Sequence, residues 1–135
     1  KFKKALVIDG AKKYGCNKVA FAHHGDDAVE TLFMNMVYGG KIATFTPKMY
    51  LSRTEMNFIR PFVYAYESDI VSAVLEASVP VVTSTCPADK HTKREEFKHL
   101  LNDLYKKYPQ AKSNLLTSLT NEKNTMLWKK TPKEK

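Results

Sequence analysis

Cysteine is scarce in this chain: Cys16 and Cys86 are the only two among 135 residues. Two thiols so far apart do not form the dense framework that staples small secreted domains, so both read as thiols or ligands. Glycine is scarce as well. Only Gly10, Gly15, Gly25, Gly39 and Gly40 are present, and none opens a glycine-rich turn of the kind whose backbone N–H groups wrap phosphates. No apolar run approaches the ~20 residues of a membrane span, and no charged-apolar-small leader marks a signal peptide. A cytoplasmic location without membrane contact is therefore the expectation. No His-Glu-x-x-His spacing exists, and the adjacent His23 and His24 point apart on an extended backbone, which disfavours zinc.

What is present centres on one junction. The apolar stretch Val19-Ala20-Phe21-Ala22 empties into His23-His24-Gly25-Asp26-Asp27, and a helical pattern over 27–38 follows, with Val29, Leu32, Phe33 and Met36 on one face. Polar side chains at the carboxyl end of a buried strand occupy the place where open α/β sheets keep their ligand sites. Asp27 and Glu30 have the spacing of a capping box, and Gly39-Gly40 supplies the stop. One reading ends there, with His23 and His24 as polar loop residues. The other takes the crowding of two imidazoles and two carboxylates at a helix N-terminus as a magnesium-phosphate station, with Asp26 on the cation.

The remaining pattern fits an α/β domain over 1–120 with a basic polar tail over 121–135. Residues 1–15 read as an amphipathic helix with Phe2, Ala5, Leu6 and Ile8 apolar, stopped at Gly15, and Lys18–Ala22 reads as a strand. Residues 42–60 read as a hairpin or two extended segments, with Pro47 pointing to a sheet edge. A helix over 67–77 turns Ile70, Val71, Val74 and Leu75 inward, and 79–82 is a short extended piece. Thr92 opens a further helix with Glu95 three residues on, Pro109 ends it, and a last helix covers about 110–120.

Charge is unevenly placed. Of the net +8, residues 90–135 hold +7, with 12 basic against 5 acidic side chains. In 92–108 an apolar stripe of Phe97, Leu100, Leu101, Leu104 and Tyr108 is flanked by Lys93, Arg94, Lys98, Lys106 and Lys107 on other faces. Such a helix is either a solvated basic face or a surface for a polyanion, whose phosphates release counterions on neutralisation.

The string His23-His24-Gly25-Asp26-Asp27, followed by Glu30-Thr31-Leu32-Phe33-Met34-Asn35-Met36 and Tyr38-Gly39-Gly40, resembles the second signature of the PP-loop ATP pyrophosphatase superfamily. Within it the chain is similar to the branch of tRNA 2-thiocytidine synthetases. Further matches follow in order at Lys41 to Pro47 with Lys48-Met49, Ile59-Arg60-Pro61, Glu67-Ser68-Asp69-Ile70, Cys86-Pro87 and Thr92-Lys93-Arg94-Glu95. They span roughly residues 1 to 108. The family's SGGKDS loop and central CxxC pair have no counterpart, so the chain resembles the carboxyl-terminal half of such an enzyme and is expected not to hydrolyse ATP as it stands.

The resemblance implies a Rossmann-like parallel sheet of the adenine-nucleotide alpha-hydrolase type, with flanking helices and a basic helical C-terminus. It implies an ATP-dependent enzyme that adenylates a cytidine-type base of tRNA and transfers sulfur to it. His24, Asp26, Asp27 and Cys86 would be catalytic, and His23, His24 and Asp27 would contact the nucleotide. Arg60, Lys93, Arg94, Lys98, Lys106 and Lys107 would contact tRNA, and Asp26 would take magnesium. Cys86 would act as a cluster ligand or sulfur carrier, with ATP, magnesium and a 4Fe-4S cluster as the cofactors the family allows. A sulfur donor such as a cysteine desulfurase and a homodimer are the further partners it allows. Lysidine synthetase-like amidation, which needs no cysteine, and a non-catalytic tRNA-binding module remain alternatives. Cys16 has no role in the family pattern and is expected to be structural.

Overall fold

The computed structural model describes residues 2–82 and 92–128; Cys86 and the Cys86-Pro87 motif lie outside them. Helix α1 (Phe2–Lys13) ends where Gly15, at φ +67°, takes the left-handed turn that only glycine adopts without strain, and the chain enters strand β1 (Lys18–Ala20). Helix α2 (Gly25–Gly39) follows and closes on Gly40, again left-handed at φ +57°, whose N–H donates to the Asn35 carbonyl. Strands β2 (Lys48–Leu51) and β3 (Met56–Ile59) come next. Then follow α3 (Glu67–Glu76), α4 (Lys93–Lys107), α5 (Ala111–Ser118) and a single 3-10 turn at Glu122–Asn124.

The three strands form one sheet in the order β1-β3-β2. β1 runs parallel to β3, with Val19 opposite Phe58, and β2 runs antiparallel to it, with Met49 opposite Phe58. The expected parallel sheet is thus realised in the β1–β3 pair alone. The four residues 52–55 return the chain directly, a connection that only antiparallel neighbours permit. β2 is an edge strand, as Pro47 suggested. Among the described residues β1 has a strand neighbour on one side only and Val19 is its sole buried residue, so the expectation of a buried strand is corrected.

Burial separates into two clusters. Phe58, Met56, Val19 and Ile8 form the core between α1 and the sheet, with Ala11, Phe21 and Leu51 at its margin. Alternation along β3 explains it: Met56 and Phe58 face α1, while Asn57 and Ile59 face the other way. Among the described side chains of α1 only Ile8 is buried and Ala11 half-buried, whereas Ala5 and Leu6 are exposed. Ala28, Val29 and Leu32 of α2 are buried where that helix packs on α4, whose Phe97 and Leu101 are buried in turn. One other expectation fails in part for lack of a partner among the described residues. In α3 Ile70 and Val74 are half-buried but Val71 and Leu75 are exposed; Val79–Val82 joins no strand among the described residues and is exposed.

The start of α2 is crowded by α5 and by the loop before α3. Gly25 donates its N–H to the Ala65 carbonyl at 2.8 Å, and a Cβ added there would stand 3.1 Å from that oxygen and from both Leu116 methyls. Gly25→Ala is expected to cost about 1–2 kcal/mol, because a backbone oxygen cannot step aside. Gly10→Ala, which meets nothing within 4 Å inside α1, should gain roughly 0.5–1 kcal/mol. Thermal melting of the two variants reads the difference, and equal midpoints would show that α5 does not seat tightly on Gly25.

Candidate active site at the start of helix α2

His24 is the last extended residue before α2, at φ −111° and ψ −179°. Its Nδ1 accepts from the Asp27 N–H at 3.3 Å, and its own N–H donates to Asp27 Oδ2 at 2.9 Å. This is a reciprocal capping box with an imidazole in the place usually held by a hydroxyl. The expected box of Asp27 and Glu30 is therefore corrected by one turn. Sequence rules weight Ser, Thr, Asp and Asn at the cap and pass over a ring nitrogen that accepts equally well. An accepting Nδ1 leaves the ring proton on Nε2, and that nitrogen stands 3.4 Å from Asp27 Oδ2.

Glu30, released from capping, is buried at 4% exposure, with Oε2 3.0 Å from Arg94 Nη1. Arg94 also reaches Asp27 Oδ1 at 3.5 Å and, through Nη2, Thr31 Oγ1 at 3.1 Å. Burial pushes the Glu30 carboxyl above its usual range, and the Arg94 guanidinium pulls it back. One arginine thus ties α4 to the first turns of α2.

Asp26 turns toward α3 and α5, with Oδ2 4.0 Å from His24 Nδ1. Its Oδ2 accepts the Glu67 N–H at 2.7 Å and its Oδ1 stands 3.5 Å from Lys112 Nζ. The Lys112 ammonium lies 4.7 Å from the centre of the Tyr66 ring. Lys98 pairs with Glu67 at 2.9 Å, which raises the lysine. These groups wall a cavity of about 270 Å³ between α2, α3, α4 and α5, with Asp26, Glu67, Lys98, Tyr105 and Lys112 on its lining. Burial first, and then the nearby Asp26 and Glu30 charges, push the Tyr105 hydroxyl up to about 12, so it stays a neutral donor.

His23 and Arg60 meet at a different surface. The His23 ring packs 5.7 Å from Phe21 and 5.1 Å from Phe45, and the Arg60 guanidinium lies 4.7 Å from the same Phe45 ring. Arg60 donates through Nη1 to the Thr46 carbonyl at 2.6 Å, while His23 Nδ1 and Arg60 Nε are buried without a hydrogen-bond partner among the described residues. Burial is the main cause that holds the His23 imidazole below its usual range. The residues expected to contact nucleotide and tRNA from β1 and β3 therefore share one ring, where the two parallel strands end.

The expectation that all five basic residues of α4 decorate outer faces is corrected for two of them. Arg94 and Lys98 turn inward to Glu30 and Glu67. Arg94, Phe97 and Leu101 stand three and four apart and so share a helix face, a signal present in the spacing. Lys93 remains outward, with its ammonium 4.3 Å from the Tyr38 ring, as do Lys106, paired with Asp103, and Lys107 near Tyr108. Lys112, Tyr105 and Tyr66 were not anticipated, since nothing local marks them.

Among the described residues no three His, Cys, Asp or Glu side chains converge to hold a metal ion. Both Asp26 oxygens already face internal donors, so the acidic pair does not fit a magnesium site built from this chain alone. A 4Fe-4S cluster held wholly by this chain does not fit either, because two cysteines are too few for the usual thiolate ligation. No helix among the described residues is long and apolar enough to cross a membrane.

No protein-family model matches the chain. It is 36% identical over 123 residues to the tRNA-cytidine(32) 2-sulfurtransferase of Pelobacter propionicus, covering 90% of this chain and 46% of that protein. The enzyme of the same name from Geobacter sulfurreducens is 37% identical over 123 residues, covering 90% and 48%. That from Coxiella burnetii is 32% identical over 128 residues, covering 94% and 50%. The chain spans about half the length of the curated relatives it matches. Among solved structures, it superposes on the U34-tRNA thiolase NcsA from Methanococcus maripaludis with its 4Fe-4S cluster at a TM-score of 0.67 and 16% identity. That match covers 93% of this chain and 43% of the other and establishes the likeness of fold.

Proposed function

We propose that this chain, homologous to the tRNA-cytidine(32) 2-sulfurtransferases over nine-tenths of its length, is the carboxyl-terminal part of an ATP-dependent tRNA-thiolating enzyme. The observation that carries the reading is the 36% identity over 123 residues. The His24-capped start of α2 at the carboxyl end of β1 supports it, since that is where an α/β sheet presents ligand-binding groups.

The chemistry is two displacements. The 2-carbonyl oxygen of cytosine attacks the α-phosphorus of ATP and pyrophosphate leaves; a sulfide-level sulfur nucleophile from the donor then adds at C2, and AMP leaves carrying the former 2-oxygen. His24 and Asp27, locked to each other by the capping box, present a fixed imidazole and carboxylate for orienting the base or moving its proton. Asp26, held by the Glu67 N–H and Lys112, keeps the floor of the cavity in place. His23 and Arg60 supply contacts to nucleotide or tRNA beside Phe45. Cys86 takes part in the sulfur step as a thiolate. Without a phosphate-wrapping loop, the 135 residues alone do not turn over ATP. The location proposed is cytoplasmic.

The test is nucleoside analysis by mass spectrometry. The full-length protein carrying this chain, expressed in cells that lack cytidine 2-thiolation, is expected to restore 2-thiocytidine in tRNA. Its Cys86→Ser variant should restore at most about one-hundredth as much, because a serine hydroxyl replaces a thiolate neither as a cluster ligand nor as a sulfur carrier. Lysidine without 2-thiocytidine, unaffected by Cys86→Ser, would establish the amidation reading instead.

A further inference from the structure

Trp128 is the one tryptophan of the chain, and its side chain is wholly exposed. Met126 and Leu127 before it are 92% and 59% exposed, so three consecutive large apolar side chains stand in water. The segment leaves the 3-10 turn at Glu122–Asn124, whose end is tied by the Thr125 N–H to the Glu122 carbonyl and by Thr125 Oγ1 to Asn121. An indole has much to gain from contact with a flat partner, and among the described residues it has none. After Tyr108 the sequence holds six lysines against two glutamates, with Lys123 before the indole and Lys129-Lys130 directly after it.

That charge selects the partner. A second copy of a chain of net +8 is repelled, and a purely apolar surface would have to desolvate the flanking ammonium groups. An aromatic ring interleaved with lysines is the arrangement that binds single-stranded nucleic acid, because every base offers a π face and every linkage a phosphate. We propose that Trp128 stacks on an unpaired base of the tRNA while the neighbouring lysines neutralise its phosphates. The inference rests on the tRNA reading given above. An unpaired base is required, since bases within a duplex already have both faces covered.

The single indole is its own reporter. The full-length protein carrying this chain, with any tryptophan outside it replaced by phenylalanine, is titrated with tRNA while tryptophan emission is recorded, and binding is measured separately by anisotropy of end-labelled tRNA. Free protein should emit as a solvated indole, and emission should quench in step with occupancy. Trp128→Ala should weaken binding about tenfold with an unchanged dependence on salt, and Trp128→Phe should keep most of the affinity. Binding with unaltered emission and an indifferent Trp128→Ala variant would overturn the stacking while leaving the tRNA reading intact. Absence of tRNA binding at low salt would overturn both. Emission shifted to the blue in the free chain, or quenched by polyglutamate as strongly as by tRNA, would overturn the proposal in favour of protein contact.

Discussion

Phe58→Ala is expected to lower the unfolding free energy by roughly 3–5 kcal/mol, the range for removing a large aromatic ring from a closed core. Phe58 is fully buried, sits at the middle of the central strand opposite both Val19 and Met49, and stacks at 9° and 5.2 Å on Phe21. Its ring is the common neighbour of α1 and the sheet, so no single side chain can refill the space. A domain of this size has only about 5–15 kcal/mol in hand, and the loss should therefore move the denaturant midpoint markedly. Val82→Ala, at a side chain 94% exposed, should change stability by no more than about 0.5 kcal/mol. A Phe58→Ala cost below about 1 kcal/mol would mean that the core between α1 and the sheet does not close as described.

Arg94→Ala carries the second large effect, and its size depends on pH. Removing one partner of a buried pair costs about 3–5 kcal/mol when both are enclosed, and the 42% exposure of Arg94 discounts this to about 2 kcal/mol at pH 7. Burial raises Glu30 above the 4.5 of an unperturbed glutamate, so the folded chain holds this proton more tightly than the unfolded chain. Glu30 thus favours folding most fully below pH 4.5, and that contribution is lost as pH rises through the folded value. Without Arg94 the window widens upward. The variant should lie close to the parent near pH 4 and fall behind it as pH rises toward 7. Glu30→Gln in the Arg94→Ala background should recover about half of the loss at pH 7, because no buried charge is then left alone. Equal losses at both pH values, with no recovery by Glu30→Gln, would show that Arg94 acts through packing instead.

Helices, turns and caps were legible where the deciding interactions are local. Thr92 accepts from the Glu95 N–H, Gly15 and Gly40 take left-handed turns, and the hairpin closes over 48–59, all within a few residues of one another. The cap of α2 was misplaced by one turn because an imidazole acceptor is not a usual cap residue. The inward face assigned to α3 failed at Val71 and Leu75 for another reason. An apolar stripe states what a helix could bury, and only a neighbour decides whether it does.

By itself the sequence determined which elements follow one another and roughly where, the mixture of imidazoles and carboxylates at the mouth of α2, and the basic C-terminus, since periodicity, turn residues and charge count depend on nearby residues alone. The tertiary structure decided which charges meet. Arg94 reaches Asp27, Glu30 and Thr31 across 63 to 67 residues, and Lys98 reaches Glu67 across 31. Those distances in sequence close only once α4 has packed on α2, and a side chain that reads as a free cation along the chain becomes the partner of a buried acid.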